Sequence, residues 1–435
     1  MKTHKTRGVG LLGCGTVGAA LVALLAERAD VVEARTGLRL EIVRVAVRDT
    51  ARDRGLGLDP SVFTDDPAAV IADPGVDLVV EVMGGVEPTR RYVLDALDAG
   101  KPVVTANKEL IAAAGAELFA AAETAGVDLL FEAAVAGGIP LVRPLRESLL
   151  GEPISRVMGI VNGTTNFILT KMTEEGAPYA EVLAEAQALG YAEADPAADV
   201  EGLDAAAKCA IIASIAFGVE VTSAQVPAEG ITAVRAVDIR FAARKGYVIK
   251  LLAVAERLAD GAVSARVHPV LVPETHPLAA VRDSFNAVFV EGAAVGQLMF
   301  YGRGAGGGPT ASAVLGDLVD AGVNQARGHH ATVGTLRPAV VAPPDQLTSE
   351  YYISLGVTDR PGVLATVAGV FGDHGVSILS MEQEEPDPDD GAPRPQLLFI
   401  THAAADRDVR ATPDALAELD VVERVGSVMR VLGED

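Results

Sequence analysis

Short, mostly apolar runs recur along the first third of the chain, and stretches of helical spacing separate them. GVGLL (8–12), LEIVRVAV (40–47), DLVVEVM (77–83), KPVVT (101–105) and LLFEAAV (129–135) are the runs. AALVALLAERADVVEARTG (19–37) is the first of the helical stretches, and another is expected near 88–99. A mostly apolar run without regular alternation fits a strand buried on both faces. Such strands alternating with helices predict a parallel, doubly wound α/β sheet over residues 1–144.

From about 145 to 308 the texture changes. ISRVMGI (154–160) enters NGTTN (162–166) and then a helix, which either Asn162 or Thr164 can cap. YVIKLLAVAERL (247–258) and SARVHPVLV (264–272) alternate enough to predict antiparallel strands. The expectation is an α+β domain with a mixed sheet and helices on one face. Residues 309–340 read as a helical return to the first domain and a linker, the polar, Pro-bearing stretch being 321–349. The tail, 350–435, reads strand (351–358), helix (363–374), strand (376–383), strand (396–401), helix (413–419), strand (421–431). That order is βαββαβ, the ferredoxin-like unit. The acidic insert EEPDPDDGAPRP, 384–395, reads as a solvated loop between its middle strands.

Composition narrows the function classes. The 435 residues carry a formal net charge of −23, which argues against nucleic acid or an anionic membrane as partner. No apolar run is long enough to span a bilayer. The N-terminus, MKTHKTRGVGLLGCG, turns from basic to a glycine-interrupted apolar run, which reads as a strand and not a signal peptide. Two unpaired cysteines suit a reducing compartment, so a cytoplasmic location is expected. The seven histidines show no metal-ligand spacing.

The first apolar run enters Gly13-Cys14-Gly15-Thr16-Val17-Gly18 and a helix follows. In that context GxGxxG has a physical reading: Gly13 permits a tight turn, Gly15 lets backbone approach a pyrophosphate, and Gly18 lets the helix pack on the strand. The helix N-terminus offers free N–H groups to the phosphates. At the end of the second strand stand Arg48 and Asp49. An arginine there suits the 2′-phosphate of NADP and an acid suits the 2′-hydroxyl of NAD; arginine first favours NADP(H), with NAD(H) left open. Met83-Gly84-Gly85, Asn107-Lys108 and Glu132 also fall at strand ends, where ligands of such sheets bind.

Gly190 to Cys209, GYAEADPAADVEGLDAAAKC, concentrates the remaining polar chemistry. Asp204 and Lys208 lie four apart, on one helical face, with Glu193, Asp195 and Asp199 just upstream. An ion pair on a helix surface is the ordinary explanation of such spacing. Three carboxylates facing one lysine at the end of an apolar helix point instead to a site for a small amine-bearing molecule. YGRGAGGGPTASAVLGDLVD (301–320) is a second glycine-rich stretch, read as cofactor contact, hinge, or both.

GLLGCGTVG, TANKELIA, FEAAVAGGIP, VNGTTNFIL, GYAEADPAADVEGLDAAAK and YGRGAGGGPT together resemble the blocks of the homoserine dehydrogenase family, in its order and over nearly the whole chain. The tail, ISLGVTDRPGVLATVAGVFGDHGVSI, resembles an ACT domain, an amino-acid-sensing module. The resemblance implies a Rossmann-type domain and the reversible reduction of L-aspartate 4-semialdehyde to L-homoserine by NADPH or NADH, a step toward threonine and methionine. It also implies feedback by threonine through the ACT domain, and a homo-oligomer, dimer or tetramer. Carried over by motif, Lys208 is the proton donor. Glu193 and Asp204 bind the amino-acid substrate, with Asp199 beside them. Lys108 is a second acid/base or an orienter. Thr16, Val17, Arg48, Lys108, Gly190 and Gly302 line the cofactor site. A monovalent cation, commonly sodium, is implied at Glu132, Val135, Gly137 and Ile139. The rivals are another ACT-bearing Rossmann reductase, expected to carry a histidine or thiol in its cleft, and a catalytically silent sensor, expected to have lost Lys208, Asp204 or the glycine turn.

Overall fold

The computed structural model describes residues 5–384 and 395–433. The chain begins β1 (Lys5–Leu12), α1 (Thr16–Thr36), β2 (Leu38–Ala46), β3 (Phe63–Thr64), α2 (Pro67–Ala72), β4 (Leu78–Glu81), α3 (Thr89–Asp98), β5 (Val103–Thr105), α4 (Lys108–Ala125) and β6 (Leu129–Leu130). It continues β7 (Ile154–Ile160), α5 (Gly163–Glu175), α6 (Tyr179–Ala188), α7 (Ala197–Val200), α8 (Leu203–Phe217), β8 (Val219–Glu220), α9 (Ala236–Arg244), β9 (Tyr247–Arg257) and β10 (Val263–Pro273). Then come β11 (Phe285–Gly292), β12 (Gly296–Arg303), α10 (Gly307–Arg327), β13 (Arg337–Pro338), β14 (Thr348–Val357), α11 (Val363–Asp373), β15 (Ile378–Glu384), β16 (Gln396–Thr401), β17 (Ala404–Ala405), α12 (Asp406–Ala417) and β18 (Val422–Val431). These elements form two compact units: Met1–Val157 with Ala207–Val226 and Asn286–Ala339, and Met158–Ala206 with Pro227–Phe285 and Val340–Asp435.

The first unit is built on a six-stranded sheet ordered β3-β2-β1-β4-β5-β6, its registered pairs all parallel. The order reverses between β1 and β4, and at such a switch point the loops at the strand carboxyl ends diverge into a crevice. β4 and β5 are buried along their whole length, including Glu81 and Thr105 at their ends. Leu11, Leu21, Leu25 and Val80 share one core with Ala311, Val314 and Leu318 of α10, which packs on α1. Helix α10 is thus the return to the first domain. It runs to Arg327, so the stretch read as linker from 321 opens as helix. The Asn324 side chain in its last turns and the Ala331 amide beyond it donate to the buried Asp128 carboxylate, and β13 pairs with β8.

The second unit carries strands in the order β9-β10-β18-β14-β16-β15. β10 pairs antiparallel with β9 and parallel with β18, so this sheet is mixed. β9 and β10 were expected to alternate, but each buries a long continuous run, because both of their faces are covered. β14, α11, β15, β16, α12 and β18 form the βαββαβ unit around Tyr351, Ile353, Leu355, Val367, Phe371 and Phe399. Its edge strand β18 bonds to β10, with Val270 opposite Arg430 and Leu271 opposite Val431. On the neighbouring strand, Tyr352 donates its hydroxyl to the fully buried Asp238 of α9.

The last helix begins earlier than its proline suggests. α12 starts at Asp406 and carries Pro413 inside it. Proline at a first turn is favourable, which argues for a start at 413. Three contacts overrule it: Tyr351, Arg410 and Arg430 all donate to the buried Asp406 carboxylate and fix the true first turn. The acidic insert read as a solvated loop lies, at 385–394, outside the described residues.

Candidate active site

In the first unit the glycine turn closes the carboxyl end of β1. Gly13 has φ +97°, and a Cβ there would stand 2.7 Å from the Val82 carbonyl oxygen. A Cβ on Gly18 would stand 2.6 Å from the Gly13 carbonyl oxygen. Both positions therefore need glycine for packing alone. Gly15 differs: a Cβ there would meet nothing within 4 Å. Its side faces open space, the room a pyrophosphate needs. The second glycine stretch lies on the same turn, since a Cβ on Gly307 would stand 3.2 Å from Thr16 Cγ2.

The rim of this crevice is organised by a residue that the sequence reading passed over. Glu81, at the end of β4, is fully buried and accepts from the Met83 amide at 2.7 Å, the Gly84 amide at 3.1 Å and the Thr105 hydroxyl at 2.5 Å. Burial holds its carboxyl above the usual range even so. An acid in the middle of the apolar run LVVEVM, 78–83, was the available signal. Asn107 caps α4 through the Leu110 amide and donates to the Gly85 carbonyl, which sets Lys108 as the first residue of that helix. Past β2, Arg48 is exposed, while Asp49 turns its Oδ1 to the amides of Ala51 and Arg52.

Glu132 sits in a loop pinned at both ends. Its amide donates to Asp317, and its carboxylate accepts from the amides of Leu141, Val142 and Arg143 at 2.5, 2.7 and 2.8 Å. Burial pushes Asp317 up to about 7 despite the Arg143 guanidinium at 2.9 Å. Between these anchors Ala136 and Gly137 take positive φ. A Cβ on Gly137 would stand 2.2 Å from the Gly304 carbonyl oxygen, so the loop is pressed onto the second glycine stretch. A carboxylate offers about four acceptor sites, and three amides leave Glu132 one more. Main-chain oxygens and one part-used carboxylate suit a hard monovalent cation. No cluster of three or more His, Cys, Asp or Glu side chains able to hold a metal occurs among the described residues.

In the second unit Asn162 has a larger part than helix capping. Its Oδ1 accepts from the Thr165 amide at 2.9 Å and caps α5. Its Nδ2 donates to Asp199 Oδ1 at 2.7 Å and to Asp204 Oδ2 at 3.0 Å. One side-chain amide thereby holds the two carboxylates together, and Asp204 is almost fully buried. Thr164, the other candidate cap, donates to the Tyr191 carbonyl at 2.6 Å and anchors the turn after Gly190, which has φ +76°. Glu193 follows on the exposed part of that turn, its carbonyl receiving Gln187. Asp195 caps locally through the Ala197 amide. α8 then carries Asp204 in its first turn and Lys208 one turn later.

These motifs match known families along most of the chain. Residues 140–319 match the model of homoserine dehydrogenase, 13–132 that of the homoserine dehydrogenase NAD-binding domain, and 351–420 that of the ACT domain. A homoserine dehydrogenase of Corynebacterium glutamicum is 51% identical over 429 residues, covering 98% of this chain and 95% of that protein. The crystal structure of a homoserine dehydrogenase from Thiobacillus denitrificans superposes with a TM-score of 0.91 at 41% identity, covering 98% of both chains. A hyperthermophilic archaeal homoserine dehydrogenase in complex with NADPH aligns at TM-score 0.62 and 29% identity, over 73% of this chain and 98% of its own. The chain therefore belongs to the homoserine dehydrogenase family, as an oxidoreductase acting on a CH–OH group, with a nicotinamide-cofactor-binding domain and a C-terminal ACT domain.

Proposed function

We propose that the chain reduces L-aspartate 4-semialdehyde to L-homoserine, reversibly, with NADPH preferred over NADH. The observation that carries this reading is the pair of carboxylates, Asp199 and Asp204, drawn together by Asn162, with Asp204 one helical turn before Lys208. Carboxylates held in fixed geometry suit an α-ammonium. Glu193, Asp199 and Asp204 bind that group of the substrate. Bound nicotinamide supplies the hydride to the aldehyde carbon. As negative charge grows on the carbonyl oxygen, Lys208 stabilises it and gives it a proton. Lys108 orients the substrate or acts as a second acid/base.

Gly13, Gly15, Thr16, Val17, Gly18, Arg48, Lys108, Gly190 and Gly302 line the cofactor site. Arg48 supports NADP because its neighbour Asp49 is engaged in its own turn. Glu132, with the carbonyls of Val135, Gly137 and Ile139, would hold a monovalent cation such as sodium. The working division is residues 1–144 for the dinucleotide, 145–308 for substrate and dimerisation, 309–340 for the return and linker, and 350–435 for regulation. Threonine acts through the ACT domain of a cytoplasmic dimer or tetramer.

The test is an NADPH- and NADH-linked assay on aspartate semialdehyde, with and without threonine, on the wild type and Lys208→Ala. The variant is expected to lose about 10²- to 10⁴-fold in kcat while NADPH affinity stays. Near-normal turnover would remove Lys208 from its role.

A further inference from the structure

Behind the helix that Asn162 caps lies a buried ammonium that the proposed reaction does not use. Lys250, on β9, is only 2% exposed. Its Nζ donates to Asn166 Oδ1 at 3.0 Å and to the Val281 carbonyl at 2.5 Å. Both acceptors are neutral. Glu174 and Asp283 act on it through space, and Glu174 is itself paired with Arg282 at 3.0 Å. A methionine would fill the same space without the cost of burying a charge. What the charge adds is geometry.

Asn166 stands in the first turn of α5 and is 1% exposed. Its Nδ2 faces three main-chain oxygens of one loop: Val281 at 3.3 Å, Asp283 at 2.9 Å and Phe285 at 3.2 Å. An ammonium has donors only, so it can meet nothing but the oxygen of the Asn166 amide. Lys250 thereby selects the orientation of that amide and turns its N–H groups to the loop. The opposite orientation would set Oδ1 against the carbonyl oxygens. The Val281 oxygen accepts from both side chains, which ties the loop to each of them.

The loop so held is pressed onto the start of the helix. Asp283 takes φ +52°, a conformation that a residue with a side chain seldom adopts unless its surroundings impose it. A Cβ on Gly163 would stand 2.7 Å from the Ser284 carbonyl oxygen. The Asn166 amide donates to the Asn162 carbonyl at 3.3 Å, and the Asn162 side chain reaches on to Asp199 and Asp204. Hydrogen bonds weaken steeply with misalignment, so both of those donor bonds depend on where this turn sits.

We propose that Lys250 is a positioning residue for substrate binding: with Asn166 it seats the 281–285 loop on the first turn of α5, and so fixes the side-chain amide that draws Asp199 and Asp204 together. The proposal rests on the reading of those carboxylates as the site of the substrate ammonium.

The experiment uses the full-length protein and Lys250→Met. Steady-state homoserine oxidation is expected to show the homoserine KM raised about tenfold or more, with the dinucleotide KM within about twofold of the wild type. A merely structural lysine would lower Tm and leave both KM values unchanged, and that result overturns the proposal. Asn166→Asp keeps an acceptor for the ammonium and loses the donors to the loop, so it should raise the homoserine KM in the same way; a wild-type value there also overturns it. In the double variant of Lys250→Met and Asn162→Asp, the homoserine KM should stay within about twofold of Asn162→Asp alone, because the bridge is already gone. Effects that multiply would place the action of Lys250 elsewhere and refute the proposal. Hydrogen exchange needs no substrate. Amides of residues 163–170 should exchange about tenfold faster or more in Lys250→Met than in the wild type, while those of α10 keep their rates. Unchanged protection at 163–170 refutes the seating. A wild type that fails to oxidise homoserine would refute the proposed function, and the exchange rates would still decide whether Lys250 holds this turn.

Discussion

Asn162→Asp separates the two tasks that one side chain performs. Aspartate caps a helix about as well as asparagine, so the bond from the Thr165 amide survives. What disappears is the Nδ2 donor pair to Asp199 and Asp204, and a third negative charge replaces it. A hydrogen bond to a charged group contributes about 1.5–3 kcal/mol when buried. Asp204 is nearly buried and Asp199 half exposed, so the first bond counts in full and the second in part. The loss is about 3 kcal/mol, before the added repulsion. Either one carboxyl takes up a proton or the pair splays apart, and both outcomes spoil an ammonium site. The expected result is a lower Tm, a homoserine KM raised about tenfold or more at about 1.4 kcal/mol per decade, and an unchanged NADPH KM. Asn162→Ala should cost about 1 kcal/mol further through the missing cap. The assay is steady-state kinetics beside thermal unfolding. An Asn162→Asp protein with wild-type Tm and wild-type homoserine KM would refute the bridge as the organiser of the site.

Three further outcomes are expected. Gly18→Ala should lower Tm, because its Cβ meets the Gly13 carbonyl at 2.6 Å, whereas Gly15→Ala should melt like the wild type yet weaken dinucleotide binding about tenfold or more. Thermal unfolding and cofactor titration of the two variants check that split, and equal behaviour would count against the pyrophosphate assignment. Lys250 is buried against Asn166 Oδ1 and the Val281 carbonyl, and burial brings its pKa down to about 8. The unfolded chain then binds the extra proton between about pH 8 and 10.5, so this lysine makes stability rise with pH across that window, by about 3 kcal/mol in all. Urea unfolding at several pH values should show that rise in the wild type and not in Lys250→Met; parallel curves would disprove it. Arg48→Ser should raise the KM for NADPH about tenfold while sparing NADH, and an equal effect on both cofactors would remove Arg48 from the 2′-phosphate.

The attachment of the C-terminal domain changes how its role is best tested. Truncation ahead of residue 350 is the obvious way to ask what that domain does. Its strand β18 bonds to β10, and Tyr352 satisfies the buried Asp238. Cutting the domain away would bare a sheet edge and strip the buried Asp238 of its Tyr352 and Ser427 donors, leaving it the Arg235 amide, so point variants are the cleaner probe.

Much of this protein was written in local pattern. Mostly apolar runs announce buried strands, and the spacing of Gly13, Gly15 and Gly18 announces a tight turn that packs on Gly13 and Gly18. Asp204 and Lys208 share a helix because four residues make about one turn. The βαββαβ order is likewise a one-dimensional fact. What pattern could not carry was any contact between residues distant in the chain. Asn162 reads as a cap until Asp199 and Asp204 arrive at its other end. Glu81 reads as an oddity in a strand until the loop after β4 and Thr105 close on it. Pro413 reads as a helix start until Tyr351 and Arg430 show where Asp406 must sit. Periodicity records which face of an element avoids water; only the fold decides which partner waits for a buried charge, because that partner comes from another part of the chain.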